Sequence, residues 1–228
     1  MHYAHVVQGF FIRRINRFVA EVEIGDRREM VHVKNTGRLK ELLVPQAKVY
    51  LEVSDRKGRK YKHSLIAVEK GDMLVNIDSQ LPNVVVHEAL VAGKVQELGP
   101  VIGVKREVSY GRSRFDLYFE RDGRKGFMEV KGVTLEKDGV AMFPDAPTVR
   151  GRKHLLELVQ AVKEGYAGVV FFLVQMKGVQ KFAPHIEMDP PFAAALKEAA
   201  EAGVEILAYD SEVSPQKIRI GDPLPVDL

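Results

Sequence analysis

Asp116 and, thirteen residues further on, Glu129-x-Lys131 are the positions of this 228-residue chain whose types and spacing invite a reaction. Glu129 and Lys131 stand inside "GFMEVKGVTL" (126–135). The Phe127, Met128, Val130 and Val133 of that run read as a strand of a sheet interior. Side chains two apart in a strand share a face, roughly 6.5–7 Å from one another. An acid and a base therefore leave an apolar element side by side. Asp116 closes "SRFD" in the preceding strand, and if the two strands pair through the turn "RDGRK", it comes to lie beside Glu129. Two carboxylates converging with a backbone carbonyl make a hard oxygen site suited to Mg²⁺ or Mn²⁺. A lysine beside it can hold and polarise an attacking water while the cation neutralises charge on a phosphoryl oxygen. That is the chemistry of metal-dependent phosphodiester hydrolysis. An acid two residues from a lysine is, taken alone, an ordinary surface pair. Buried carboxylates, however, are costly unless paired or metal-bound, and such violations concentrate at functional sites.

The elements that must carry these residues fall into two groups. Up to residue 81 the chain reads as short strands with tight turns, at 18–24, 30–35, 48–53, 61–69 and 73–78. Strands spaced this way suggest a small barrel, and a five-strand Greek-key barrel of the OB type is the expectation; such barrels often bind oligonucleotides. "NTGRLKELLVP" has room for a single helical turn before Pro45. The boundary is placed in "SQLPN" (79–83), giving units of 1–81 and 82–228. After it the spacing predicts a helix over 84–95 capped by Asn83, then strands over 104–111, 113–120 and 126–135. A polar stretch (136–151) leads to an amphipathic helix over 152–165, with Leu155, Leu158, Val159 and Val162 on one stripe. "YAGVVFFLVQ" (166–175) is apolar throughout and predicts a central parallel strand. A helix over 189–203 and a strand over 204–210 complete an α/β unit with a mixed sheet.

Composition narrows the partners. Residues 1–81 hold 15 Lys and Arg against 10 Asp and Glu, whereas the remainder holds 19 against 21. Basic clusters at "RRINR" (13–17) and "RKGRKYK" (56–62) favour polyanions, because neutralised phosphates release counterions; solvated hairpin tips are the plainer account. The absence of cysteine excludes disulfides and thiolate chemistry. The seven histidines show no HxH or HExxH spacing, so a histidine zinc site is not expected. "YGRSRF" lacks the second glycine of a serine-hydrolase elbow, and no Walker A or GxGxxG run appears. No apolar run is long enough to span a membrane and no secretory signal is read at the N-terminus, so a cytoplasmic location is expected.

The chain resembles the SfsA family, the sugar fermentation stimulation protein A group. The matching stretches include "HVKNTGRLKELLVP" (32–45), "LVNIDSQLPN" (74–83), "EVSYGRSRFD" (107–116), "EVKGVTL" (129–135), "AMFPDAPTVRGRKHLLEL" (141–158) and "FAPHIEMDPPF" (182–192). The resemblance implies an α+β two-domain protein: an N-terminal OB-like β-barrel followed by a PD-(D/E)XK restriction-endonuclease-like α/β domain with a mixed central sheet. It also implies links to DNA binding and to regulation of sugar genes. Carried over motif by motif, Asp116 and Glu129 become metal ligands, Lys131 the catalytic lysine, Glu88 an auxiliary acid and Gln175 a residue at the site's edge. Phe115 departs from the pattern, standing where the superfamily's name puts proline.

Further basic residues are candidates for backbone contact with nucleic acid. They are Arg13, Arg14 and Arg17 in the first cluster, Arg38 in the barrel, Arg112 and Arg114 beside Tyr110, and Arg150, Arg152 and Lys153 at a helix start, where Thr148 offers a cap. The expectation is a DNA-binding protein with a Mg- or Mn-dependent phosphodiesterase site. The alternatives are a non-cleaving DNA-binding regulator of sugar-metabolism genes and a scaffold for a protein partner. Homodimerisation is left open.

Overall fold

Hydrophobic alternation in the first third of the chain closes a barrel. A computed structural model describes residues 1–111 and 113–228. Six strands, β1 (Val6–Asn16), β2 (Val19–Ile24), β3 (Arg27–Val33), β4 (Lys48–Val53), β5 (His63–Lys70) and β6 (Met73–Asn76), run in the order β3-β2-β1-β4-β5-β6. A short parallel pairing of His32 with Ser64 and Val33 with Leu65 joins β3 to β5 and seals the first five into an OB-like barrel. Its inward residues alternate along each strand, with Ala20, Val22, Val31, Val33, Val49 and Leu51 fully buried. Strand β1 is an addition to the sequence reading. Its arginines and half-exposed Phe10 and Ile15 obscure the alternation. The strand expected over 18–24 begins only at Val19, and Phe18 ahead of it is 49% exposed.

Beyond the barrel come helix α1 (Pro82–Val91) and strands β7 (Ile102–Tyr110), β8 (Ser113–Arg121) and β9 (Arg124–Val133). Two short strands follow, β10 (Leu135–Lys137) and β11 (Val140–Phe143), largely within the polar stretch to which no element was assigned from the sequence. Helix α2 (Val149–Lys163) leads into β12 (Ala167–Val174), every residue of which is buried. The remaining elements are β13 (Lys181–Pro184), α3 (Pro190–Glu201), β14 (Glu205–Ser214) and β15 (Lys217–Pro223). The main sheet has the order β15-β14-β12-β9-β8-β7. β12 lies parallel between β9 and β14, while β7, β8 and β15 are antiparallel to their neighbours. The sheet is thus mixed, as expected. β10, β11 and β13 form a small second sheet.

Helix α1 starts two residues before its expected position, with Pro82 in its first turn and Leu81 at the N-cap. Asn83 is therefore not the cap, and its side chain is free for other work. Helix α2 is capped by Thr148, whose Oγ1 accepts the Gly151 N–H at 3.0 Å.

The two units share one buried apolar cluster that includes Val75 and Ile77 of the barrel side and Met176 and Val179 after β12. Polar ties run beside it. Asn76 N–H donates to Gln175 O at 2.9 Å, and Lys70 Nζ reaches Glu136 O at 2.7 Å and Oε2 at 2.5 Å. These contacts fix the barrel against the end of β9, where the acid–x–Lys motif lies.

Candidate active site

Pairing of β8 with β9 runs from Arg121↔Arg124 up to Leu117↔Met128 and stops there. The next pair would set Asp116 opposite Glu129. Instead the strands part, and the Val130 N–H donates to Asp116 Oδ2 at 2.9 Å. The carboxylate thus takes the place of a ladder acceptor, so the buried backbone donor stays satisfied while the sheet opens. Asp116 Oδ1 accepts from Asn83 Nδ2 of α1 at 2.7 Å.

Glu129 is 3% exposed. Its Oε1 accepts from Lys131 Nζ at 2.5 Å and from His154 Nδ1 of α2 at 2.5 Å, while its Oε2 is buried with no hydrogen-bond partner among the described residues. Because an ionised carboxylate can only accept, His154 carries a proton on Nδ1 here. Arg150 Nε stands 3.5 Å from His154 Nε2 at the other side of the ring.

The two acids are driven apart in proton affinity. Burial pushes the Asp116 carboxyl up, the negative charge of Glu129 adds to it, and the Val130 hydrogen bond and the charge of Lys131 offset this only in part. Burial acts on Glu129 in the same sense. There the His154 hydrogen bond, together with the charge and hydrogen bond of Lys131, outweighs it and holds the carboxyl below its ordinary value.

Asp116, Glu129 and Lys131 are therefore brought together at the opening of the sheet. Glu88 is not: it is exposed on α1 and paired with the Met1 amino group at 2.8 Å, and the α1 side chain that meets Asp116 is Asn83. Gln175 is 1% exposed and binds the barrel's end, with Nε2 donating to Asn76 Oδ1 at 3.0 Å and to Asp78 O at 3.2 Å. It does line a narrow cleft against Gly132, one residue past Lys131. His154 and Asn83 were not singled out from the sequence as site residues. The signal for His154 was available, since Gly151, His154, Leu155 and Leu158 recur at helical spacing and form the buried face of α2.

The orphaned Glu129 Oε2 and the strained Asp116 carboxylate fit a hard divalent cation, which would satisfy the first and relieve the second. Among the described residues no three His, Cys, Asp or Glu side chains gather into a complete cage. Two carboxylates and open positions are what a cation shared with a phosphate requires.

The basic candidates divide by what they touch. Arg14 is consumed internally: its Nη1 donates to Gly37 O (2.6 Å) and Arg38 O (2.9 Å), its Nη2 to Arg17 O (2.8 Å) and Asn35 O (2.7 Å). It is a clamp on the 35–38 loop and not a free phosphate contact. Arg13 is paired with Glu21 at 2.7 Å, Arg114 with Glu107 at 3.0 Å and Lys153 with Glu157 at 3.6 Å, all with largely exposed cations. Arg150 faces His154. Arg152 lines a separate cavity at the start of α2 with Met188 and Asp189. Arg112 lies outside the described residues. Arg17 and Arg38 line a cavity of about 670 Å³ with Lys40 over an apolar floor of Leu43 and Val44. A second basic cavity, about 550 Å³, gathers Lys34, Arg56, Lys57 and Arg59. Arg56, Lys57 and Arg59 come from the "RKGRKYK" stretch, for which composition left a polyanion contact and a solvated tip both open.

A closed five-strand OB-like barrel feeding a mixed sheet that opens at an Asp–Glu–x–Lys set defines an OB-plus-restriction-endonuclease-like protein. Residues 12–77 match the model of the SfsA N-terminal OB domain, and residues 80–217 match that of the sugar fermentation stimulation protein RE domain. Curated relatives span the whole chain. The sugar fermentation stimulation protein homolog of Alkaliphilus oremlandii is 53% identical over 232 residues, covering 100% of this chain and 99% of its own. That of Clostridium botulinum is 49% identical over 225 residues, covering 98% of each. Among solved structures, Pyrococcus furiosus SfsA in complex with Ca²⁺ superposes with a TM-score of 0.89 at 33% identity, covering 100% of this chain and 98% of that one. The chain belongs to the SfsA family. No helix among the described residues is long and apolar enough to cross a membrane.

Proposed function

We propose that this protein binds nucleic acid, DNA in the first place, and hydrolyses its phosphodiester bonds with a divalent cation held by Asp116 and Glu129. The observation that carries the reading is Glu129 Oε2, a buried carboxylate oxygen with no donor among the described residues, on the residue whose charge presses on Asp116. The Ca²⁺ named with the Pyrococcus furiosus relative supports a hard, oxygen-seeking ion in this family; Mg²⁺ or Mn²⁺ would serve in turnover. A bound cation supplies charge neutralisation at a phosphoryl oxygen. Lys131, 15% exposed and tethered to Glu129, holds and orients the attacking water. His154 fixes the Glu129 carboxylate so that Oε2 stays open. Asn83 and the Val130 N–H orient Asp116. The barrel and its two basic cavities grip the phosphate backbone.

The exposure of Glu88 away from the site favours a second reading, a DNA-binding regulator that keeps the fold without cutting. Labelled single-stranded and duplex DNA, incubated with the protein in Mg²⁺ or Mn²⁺, separates the two. Cleavage that disappears with chelator, with Glu129→Ala and with Lys131→Ala, while binding survives the Lys131 change, establishes hydrolysis. Binding without cutting on either substrate and with either metal leaves the regulator.

A further inference from the structure

We propose that the cleft where the barrel meets the end of β9 receives one unstacked nucleobase, so that the substrate of the neighbouring site is single-stranded nucleic acid or a strand opened from a duplex. This rests on the nucleic-acid reading above and does not require that the chain cuts.

The cleft is small, about 110 Å³, and lies between the two units. Asn35 and Ser79 line it from the barrel side, Pro82 from α1, Gly132 from β9, and Met142 and Phe143 from β11. A planar ring fits such a slot; a base pair in a helix does not. Met142, Phe143 and Pro82 give apolar surface to a ring face. Gln175 gives an acceptor: its amide nitrogen is spent on Asn76 and Asp78, and among the described residues no donor meets its Oε1. Glycine at 132 is what allows Gln175 to stand there, since a Cβ on it would fall 2.5 Å from Gln175 Oε1 and 2.7 Å from Pro82 Cγ.

The surroundings say that the ring belongs to a polymer. The slot's Asn35 is preceded by Lys34 of one basic cavity and followed by Thr36, Gly37 and Arg38 of the other. Ser79 of the slot is likewise followed by Gln80 of the Lys34 cavity. Its Asp145 accepts the Arg38 N–H at 3.1 Å. Basic cavities thus adjoin the slot's Asn35 in both chain directions. Lys34 itself is paired with Glu52 at 2.7 Å and Asp78 at 3.0 Å. The exposed cations that could meet the phosphates flanking a base are therefore Arg56, Lys57 and Arg59 in one cavity and Arg38 in the other. The slot's Gly132 directly follows Lys131, so a base lodged there brings its own backbone to the opening of the sheet. Enzymes that act on nucleic acids use such pockets to select strands whose bases are already free.

The test reads binding and not cleavage. Full-length ¹⁵N-labelled protein in chelator is titrated with inorganic phosphate, deoxyribose 5-phosphate and the four deoxynucleoside 5′-monophosphates. Nucleotides should bind roughly tenfold more tightly than the sugar phosphate, as expected for one base against an aromatic wall. They should also shift the amides of Gly132, Thr134 and Gln175. Phosphate and sugar phosphate should move only amides near Lys34 and Arg38. Phe143 packs on Phe172 and Phe192 at 5.7 and 5.2 Å, so Phe143→Leu keeps apolar volume while removing the flat face. It should erase the nucleotide's advantage and leave the phosphate response. Equal affinity for nucleotide and sugar phosphate, shifts that avoid the slot, or no binding of any of these probes overturns the proposal. A chain that takes the base and cuts no DNA keeps the slot and loses the hydrolysis.

Discussion

Replacing His154 by alanine tests how Glu129 is tolerated in the sheet. In the parent protein the buried carboxylate has, among the described residues, two donors on Oε1 and none on Oε2. Removing His154 deletes one of the two. A hydrogen bond to a charged group contributes roughly 1.5–3 kcal/mol, and the lost ring also leaves a void against Phe115, whose centroid lies 6.5 Å away. The expected destabilisation is about 2–4 kcal/mol, or a fall in Tm of roughly 5–10 °C for a chain of this size. Glu129→Gln supplies the control, because a neutral side chain needs far less compensation. In that background His154→Ala should cost about 1–2 kcal/mol less. The acid limb carries a second signature. Glu129 is held below its ordinary value, so its contribution is complete above the unfolded-chain pKa of about 4.3 and is lost as pH falls through the lower folded value. The His154 hydrogen bond is the largest of the effects that lower it, so the variant should lose much of that acid-limb dependence. Thermal melts of the four proteins in chelator, from pH 3.5 to 7.5, measure all of this. Additivity of the two substitutions to within about 0.5 kcal/mol would refute the claim that His154 acts through the charge of Glu129.

Other substitutions separate cost from use. Asp116 titrates above its ordinary value, so the folded chain holds that proton longer than the unfolded chain, and the associated stability is lost as pH rises through the folded value. Asp116→Asn in chelator at pH 7 should therefore melt no lower than the parent, while calorimetry should show Ca²⁺ or Mn²⁺ binding weakened at least about tenfold. Arg14→Ala removes five hydrogen bonds to backbone carbonyls and should cost about 2–4 kcal/mol by urea denaturation. Arg17→Ala and Arg38→Ala should leave stability within about 0.5 kcal/mol. Each should instead weaken DNA or RNA binding evenly across sequences and flatten the log–log salt slope by about 0.7–0.9. A loss of stability in those two variants would move them into the clamp with Arg14.

Much of this was legible because period-2 and helical periodicities report one element at a time. β12, apolar throughout, and α2, with its spaced leucines, needed no partner to be recognised. β1 was hidden because a barrel strand with one face in solvent can carry Arg13 and Arg14 without losing its inner residues. The short strands β10 and β11 were hidden for another reason. β11 pairs in parallel with β13, some forty residues further on, and β10 pairs only with β11, so the small sheet depends on that distant contact. The Asp116–Glu129–Lys131 set could be read because two of its members share one strand. His154 and Asn83 arrive from separate helices, and no local spacing connects them to an acid. The opposite error occurred with Arg14: its charge suggested a phosphate, whereas the backbone carbonyls of Asn16, Arg17, Asn35, Gly37 and Arg38 had already claimed its guanidinium.

The break in pairing between β8 and β9 makes the site and the fold depend on the same carboxylate. Asp116 Oδ2 occupies the Val130 N–H that strand pairing leaves behind. An alanine there would remove the anion and also strand a backbone donor inside the sheet, at a cost of about 1–3 kcal/mol. Asparagine keeps an oxygen for Val130, and Asn83 can turn its amide to face the new one. The two substitutions thus ask different questions of one position. If Asp116 is only a structural plug, Asp116→Asn should retain metal binding and any cleavage, and only Asp116→Ala should fail. If it is a ligand as well, both should lose metal binding, and only the alanine variant should lose stability. Melts and cation calorimetry on the pair decide between these outcomes even when no nucleic-acid substrate is yet in hand.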